Sequence, residues 1–108
     1  MLGNFQQILK QAQKIKEDLA RLEEELKDKV VEATAGGGMV RVAVNGRNEV
    51  VSVTIEREAL NPDDAELLQD MVQVAVNEAL RKAREMAMAE MAKITGNGLH
   101  PSLLQGII

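Results

Sequence analysis

The sequence predicts an α+β domain with the element order α-β-β-β-α, in which a three-stranded antiparallel sheet is combined with two long helices. Three observations indicate this class. A heptad of apolar residues fills the first quarter of the chain, alternating β-branched residues follow it, and a second helical pattern fills most of the remainder. The length of 108 residues is that of one domain.

The first helix is predicted over residues 1–29, because apolar residues recur there at every third or fourth position. The repeat consists of Phe5, Ile8, Ala12, Ile15, Leu19, Leu22 and Leu26. Spacings that alternate between three and four residues produce the a/d stripe of a coiled coil. The stripe is narrow, which favours a coiled-coil seam over packing on a broad sheet.

A β-meander is predicted over residues 30–56, where the apolar period changes to two. Three short stretches alternate apolar and polar residues, as strands with one apolar face do. The turn between the second and third stretches contains Asn45-Gly46, a strong hairpin signal. The turn between the first two is Gly36-Gly37-Gly38. Neither a Lys-Ser/Thr pair nor a helix follows these glycines, so the sequence indicates a turn and not a phosphate-binding loop.

The second long helix is predicted over residues 61–95, followed by an irregular tail over residues 96–108. Asn61 is a suitable N-cap and Pro62 suits the first helical position. The apolar positions between Leu68 and Met86 recur at three or four residues and form a stripe wide enough to cover a sheet.

A second copy of the chain is expected to cover apolar surface that one copy leaves open. A strand of seven residues spans about 23 Å, so both helices overhang the sheet. We therefore predict a homodimer. The candidate interface residues are Phe5, Ile8, Ile15, Leu19, Leu22, Val40 and Val42.

The net charge of −4 is distributed unevenly along the chain. Residues 1–16 and 81–94 are locally basic, and residues 57–70 are acidic. Candidate phosphate-contacting residues are Lys10, Lys14, Lys16, Arg21, Arg81, Lys82 and Arg84. On composition alone such residues are more often a solvated helix face, where the pairs Glu17–Arg21 and Glu78–Lys82 have the spacing of i,i+4 ion pairs.

No signature of an enzyme is visible in the sequence. There is no cysteine, His100 is the single histidine, and Ser52 and Thr54 have no base near them in sequence. We expect no cofactor, metal ion or small-molecule substrate. The single aromatic residue, Phe5, disfavours modules that bind single strands or RNA by base stacking.

The chain is expected to be soluble and cytoplasmic, with no membrane partner. No apolar run approaches the roughly 18–20 residues of a membrane span. The first residues, Met1-Leu2-Gly3-Asn4, lack the basic and apolar regions of a secretory signal.

The chain contains EATAGGGMVRVAVNG at residues 32–46, DAELLQD at residues 64–70 and AVNEAL at residues 75–80, with QAQK at residues 11–14 and ITG at residues 94–96. Together these stretches resemble the signature of the YbaB/EbfC family of bacterial nucleoid-associated proteins. Individually weak, these elements are jointly specific in their order and spacing. The resemblance covers nearly the whole chain as one YbaB/EbfC-like domain, except that the tail is less rich in glycine than the usual family ending.

The resemblance implies a homodimer with a shared β core and protruding helices, likened to tweezers. It further implies binding to double-stranded DNA, with a change in the conformation of the DNA and roles in nucleoid organisation and gene regulation. The helical ends are the part of the family implicated in DNA contact. The net charge of −4 counts against tight binding that is independent of sequence. The alternative function is a dimeric coiled-coil scaffold or adaptor that binds another protein, for instance in DNA repair.

Overall fold

The structure is a computed structural model, and it describes residues 2–96 of the chain. It confirms the predicted fold class and element order. The elements are α1 (Leu2–Leu26), β1 (Val30–Ala35), β2 (Val40–Asn45), β3 (Val50–Ile55), a 3-10 turn (Arg57–Ala59), a second 3-10 turn (Pro62–Asp64) and α2 (Ala65–Thr95). The predicted irregular tail from residue 97 onward, with His100, lies outside the described residues.

The described chain is strongly elongated, with principal extents of 73 × 26 × 15 Å. Its radius of gyration is 19.9 Å, whereas a compact domain of this length has about 13 Å. Residues 4–14, in the first part of α1, are all exposed. We call this segment the arm.

The three strands form one antiparallel sheet in the order β1-β2-β3. Ala33 pairs with Val42, and Val42 pairs with Val53, so these three side chains share one face of the sheet. An irregularity in the β2–β3 register lies between Ala43 and Val44. The two outer strands, β1 and β3, therefore each have one edge that pairs with no strand among residues 2–96.

Helix α2 packs on the side of the sheet formed by β1 and β2, and the core lies between them. Small side chains on α2 allow the close approach: Ala75, Ala79 and Ala83 have no exposed surface. They pack in one cluster with Val40 and Val42, which are also fully buried.

The sequence pattern assigned Val40 and Val42 to a dimer interface, but a side chain without exposed surface cannot contact a second chain. They are core residues of the protomer.

Strand β3 is left largely uncovered, although its residues are apolar or uncharged. Val50, Val51 and Val53 are each about half exposed (47%, 49% and 47%). The remaining residues of the strand are also exposed, except Ile55, which is partly buried. The sheet therefore offers an apolar surface beside α2.

The end of α1 is fixed to the body by two leucines and by the β2–β3 hairpin. Leu22 and Leu26 are each 5% exposed, in contrast with the arm. The Gly46 N–H donates to the carbonyl oxygens of Leu26 (2.8 Å) and Lys29 (2.9 Å). A Cβ at Gly46 would lie 2.7 Å from Leu26 Cδ2, so only glycine permits this contact.

Helix α2 begins later than the sequence pattern predicts. The Asn61 side chain does cap a helical segment, since its Oδ1 accepts a hydrogen bond from the Asp63 N–H at 3.1 Å. The capped segment is the 3-10 turn Pro62–Asp64, and α2 itself begins at Ala65. The Asn-Pro signal therefore marked the start of helical backbone, without distinguishing a 3-10 turn from an α-helix.

The glycine triplet forms the turn between β1 and β2, as predicted. The backbone φ angles of Gly36, Gly37 and Gly38 are 63°, 66° and 95°, in the region that favours glycine. Gly36 has a second constraint, because a Cβ there would overlap the Met71 Sδ. At Gly37 a Cβ would meet no atom within 4 Å.

Gly36→Ala is therefore expected to destabilise the protein more than Gly37→Ala. The change at Gly37 costs about 1 kcal/mol, which is the backbone penalty at positive φ. The change at Gly36 adds the displacement of Met71, for a total of about 2–3 kcal/mol. Urea unfolding followed by circular dichroism at 222 nm, at one protein concentration, measures both. Equal losses would contradict the close approach to Met71.

Candidate nucleic-acid interface

The basic residues of α1 lie on two different faces of the helix. At about 100° per residue, Lys10, Lys14 and Arg21 share a face opposite the apolar stripe. Lys16 is at the border of the stripe, where it lines a groove with Leu19 and other residues. Of the four phosphate-contacting candidates on α1, three therefore lie on the face opposite the apolar stripe and one lies beside the stripe.

Pairing with acidic residues further divides this set. Arg21 Nη2 lies 3.6 Å from Asp18 Oδ1, and not at Glu17 as the i,i+4 spacing predicted. Lys10, Lys14 and Lys16 form no salt bridge with any described acidic residue. The unpaired positive charge of α1 is thus on its first four turns, which include the arm.

Arg81 on α2 is enclosed by two carboxylates. Its guanidinium donates to both carboxylate oxygens of Glu78, and its Nη1 lies 2.5 Å from Glu85 Oε1. The hydrogen bond from Arg81 lowers the pKa of Glu78, and the reciprocal bond raises the pKa of Arg81 above its ordinary value. The three groups together carry a charge of −1, so Arg81 is poorly placed to attract a phosphate.

The other two basic candidates of α2 lie on opposite flanks of the helix. Lys82 Nζ donates to the backbone carbonyl of Glu32 at 3.0 Å, which places it beside β1. Its predicted partner, Glu78, is bound to Arg81 instead. Arg84 lines a recess with Arg47 of the β2–β3 hairpin. The structure thus separates three basic residues that are close in sequence.

Arg47 is a basic residue that the sequence pattern did not select. It directly follows the Asn45-Gly46 hairpin signal, and it is exposed. Neither Arg47 nor Arg84 forms a salt bridge with a described acidic residue. Of the sequence-predicted residues and Arg47, those that remain open to an anion are Lys10, Lys14, Lys16, Arg47 and Arg84. Arg41 and Arg57, elsewhere on the body, also form no salt bridge with a described acidic residue.

The profile of the YbaB/EbfC DNA-binding family matches residues 1–99 of the sequence. The chain belongs to this family. The resemblance that the sequence motifs indicated is thereby confirmed, and the basic residues described above can be considered as those of a YbaB/EbfC protein.

Relatives in the YbaB/EbfC family are similar over nearly the whole chain. A nucleoid-associated protein of Pelotomaculum thermopropionicum is 54% identical over 103 residues, which cover 95% of this chain and 98% of the relative. One of Acetivibrio thermocellus is 55% identical over 94 residues, covering 87% and 83%. The crystal structure of an uncharacterised protein from Helicobacter pylori matches with a TM-score of 0.68 and 30% identity, covering 79% of this chain and 89% of that one.

Among residues 2–96, no helix of this YbaB/EbfC chain is both long enough and apolar enough to cross a bilayer.

Proposed function

We propose that the protein is a non-enzymatic, nucleoid-associated protein that binds double-stranded DNA as a homodimer and alters the conformation of the DNA. The observation that carries the proposal is the arm: residues 4–14 are exposed, and Lys10 and Lys14 have no described ionic partner. The names of the relatives support a location in the nucleoid, within the cytoplasm.

The two faces of the arm support binding to both a second chain and DNA. Phe5 and Ile8 on the apolar stripe are 60% and 61% exposed. A stripe of this kind is stable in water when it packs on a partner helix. Lys10 and Lys14 lie on the opposite face, so an arm that packs through its stripe keeps both lysines directed outward. Dimerisation is therefore compatible with phosphate contact by the same helix.

Strand β3 provides a second surface for the partner chain. It is an edge strand of the sequence VVSVTI, without a charge or a proline to protect its free backbone groups. Val53 is exposed on the side of the sheet that carries α2, whereas Ser52 and Thr54 point to the other side. We propose that the edge and the apolar side of β3 pack against the second copy.

Contact with phosphates explains how a protein of net charge −4 binds DNA. Each dimer has two arms, so Lys10 and Lys14 of the two chains provide four cationic groups. Lysine binds phosphate as a point charge and carries no base-reading geometry. The affinity is therefore expected to depend on salt concentration and on the shape of the DNA. Two arms that hold phosphates some distance apart would also favour a bent duplex.

A second candidate function rests on an apolar groove between α1 and α2. The groove has a volume of about 390 Å³, and Leu19, Leu22 and Met91 are among its lining residues. Met91 is 45% exposed, and methionine adapts its shape to apolar partners. This groove favours the alternative in which the dimer is an adaptor for another protein.

Salt-dependent binding distinguishes the two functions. We expect the protein to bind duplex DNA more tightly than single-stranded DNA or RNA, with an affinity that falls linearly with the logarithm of salt concentration. Light scattering should give about twice the chain mass of 11.8 kDa. Absence of duplex binding at about 50 mM salt would replace the DNA function with the adaptor function, and a stable monomer would exclude both.

A further inference from the structure

We infer that the recess between the β2–β3 hairpin and α2 binds one phosphate group of the DNA backbone, held between Arg47 and Arg84. This inference rests on the proposed function and adds a contact on the body of the protein to those of the arms. The recess has a volume of about 290 Å³. It is lined by Gly46, Arg47, Asn48, Arg84, Ala87 and Met88.

The hydrogen bonds of the hairpin fix the backbone at Arg47 before any ligand binds. Asn45 is 4% exposed, and its Oδ1 accepts hydrogen bonds from the backbone N–H groups of Arg47 (3.0 Å) and Glu49 (3.1 Å). The bonds of the Gly46 N–H to the carbonyl oxygens of Leu26 and Lys29 fix the other side of the turn. Because the backbone is already ordered, only the rotamers of the Arg47 side chain remain to be fixed when an anion binds.

The charges around the recess favour an anion. Among the described residues its lining contains two guanidinium groups and no carboxylate. The nearby carboxylate of Glu49 accepts a hydrogen bond from Asn45 Nδ2 at 3.0 Å, and it forms no salt bridge with either arginine. Three other recesses of the described surface each have a carboxylate in their lining.

Two arginines in one recess match the chemistry of a phosphate. Both side chains are positively charged, so an anion that enters the recess is attracted to each of them. Each guanidinium presents a planar fork of N–H donors that fits two phosphate oxygens. The recess is open, so a phosphate that is part of a polymer can enter it as well as a free ion.

The position of the recess allows it to act together with Lys16. Arg84 and Met91 lie on the same flank of α2, and Met91 lines the groove that contains Lys16. Seven residues of helix separate Arg84 from Met91, about 10 Å. One DNA strand carries a phosphate for about every 3.4 Å of helix axis, so the recess and the groove that contains Lys16 can meet different phosphates of one strand.

The first experiment tests the recess with inorganic phosphate alone, independently of DNA. We expect titration into ¹⁵N-labelled protein to shift the amides of Arg47, Asn48 and Met88 saturably, whereas sodium chloride at equal ionic strength does not. Arg84→Gln should abolish the shifts. The matched control is Arg57→Gln, which makes the same change in an exposed 3-10 turn. Shifts that are absent, equal in chloride or unchanged by Arg84→Gln would overturn the site.

The second experiment identifies the source of the phosphate. In duplex binding, the salt slope should fall by about one for each arginine that meets a phosphate, and Arg47→Gln with Arg84→Gln should show this. If inorganic phosphate binds but the double variant keeps the parent's slope, the recess is a free-anion site and the inference is wrong. If the parent binds no duplex at all, the proposed function fails, and the phosphate titration still decides whether the recess binds an anion.

Discussion

Replacing both Lys10 and Lys14 with glutamate should weaken duplex binding by about 100-fold at moderate salt. The proposed dimer would lose four phosphate contacts, and each lost contact lowers the salt slope by about 0.9. The loss should be similar for unrelated DNA sequences, because phosphate contacts carry no base information. Fluorescence anisotropy with labelled duplexes, measured over a series of salt concentrations, gives both the affinity and the slope.

A matched control distinguishes the effect of where these charges lie from the effect of the change in net charge on DNA binding. Lys27→Glu with Arg57→Glu changes the net charge equally, and both residues are exposed outside the arm. This control should retain most of the parent's affinity and slope. The arm is not the DNA surface if the Lys10 and Lys14 variant folds, dimerises and binds with the parent's slope.

Val53→Lys is expected to raise the dissociation constant of the dimer by two orders of magnitude or more. In the proposed interface the lysine would be buried without a partner, and an uncompensated buried charge costs about 3–5 kcal/mol. The same residue is half exposed in one chain, so the protomer itself can direct the ammonium group to solvent. Sedimentation equilibrium over a dilution series measures the change.

Thr54→Lys is the control for this variant. It introduces the same side chain one residue further along β3, on the opposite face of the sheet. The dimer should persist in this control. Dissociation to the same extent in both variants would show that the interface is not specific to the apolar side of β3, and a stable dimer in both would place it elsewhere.

Local signals in the sequence determined most of the fold. The change from a heptad period to a period of two located the sheet, and Asn45-Gly46 and the glycine triplet located its turns, because each depends on neighbouring residues. The burial of Val40 and Val42 could not be assigned in this way. Alternation shows that a strand has an apolar face, but not whether a helix of the same chain or another chain covers it.

The candidate site was harder to predict, because it depends on which charges are already paired. Arg81, Lys82 and Arg84 are neighbours in sequence, yet successive helix positions point about 100° apart. Glu78 precedes Arg81 by three residues and Glu85 follows it by four, so both partners are visible in the sequence. The recess of Arg47 and Arg84 is not visible there, because it joins a hairpin to a helix more than thirty residues away.

The elongated shape has a consequence for hydrodynamic measurements on this protein. A radius of gyration of 19.9 Å is that of a compact protein about three times as long. A single chain would therefore leave a gel-filtration column at the volume of a much heavier globular standard. Elution volume would report an oligomer even for a monomer, so mass must come from scattering or sedimentation. The frictional ratio is also a sensitive measure of whether the arms are extended, because it falls if they fold back against the body.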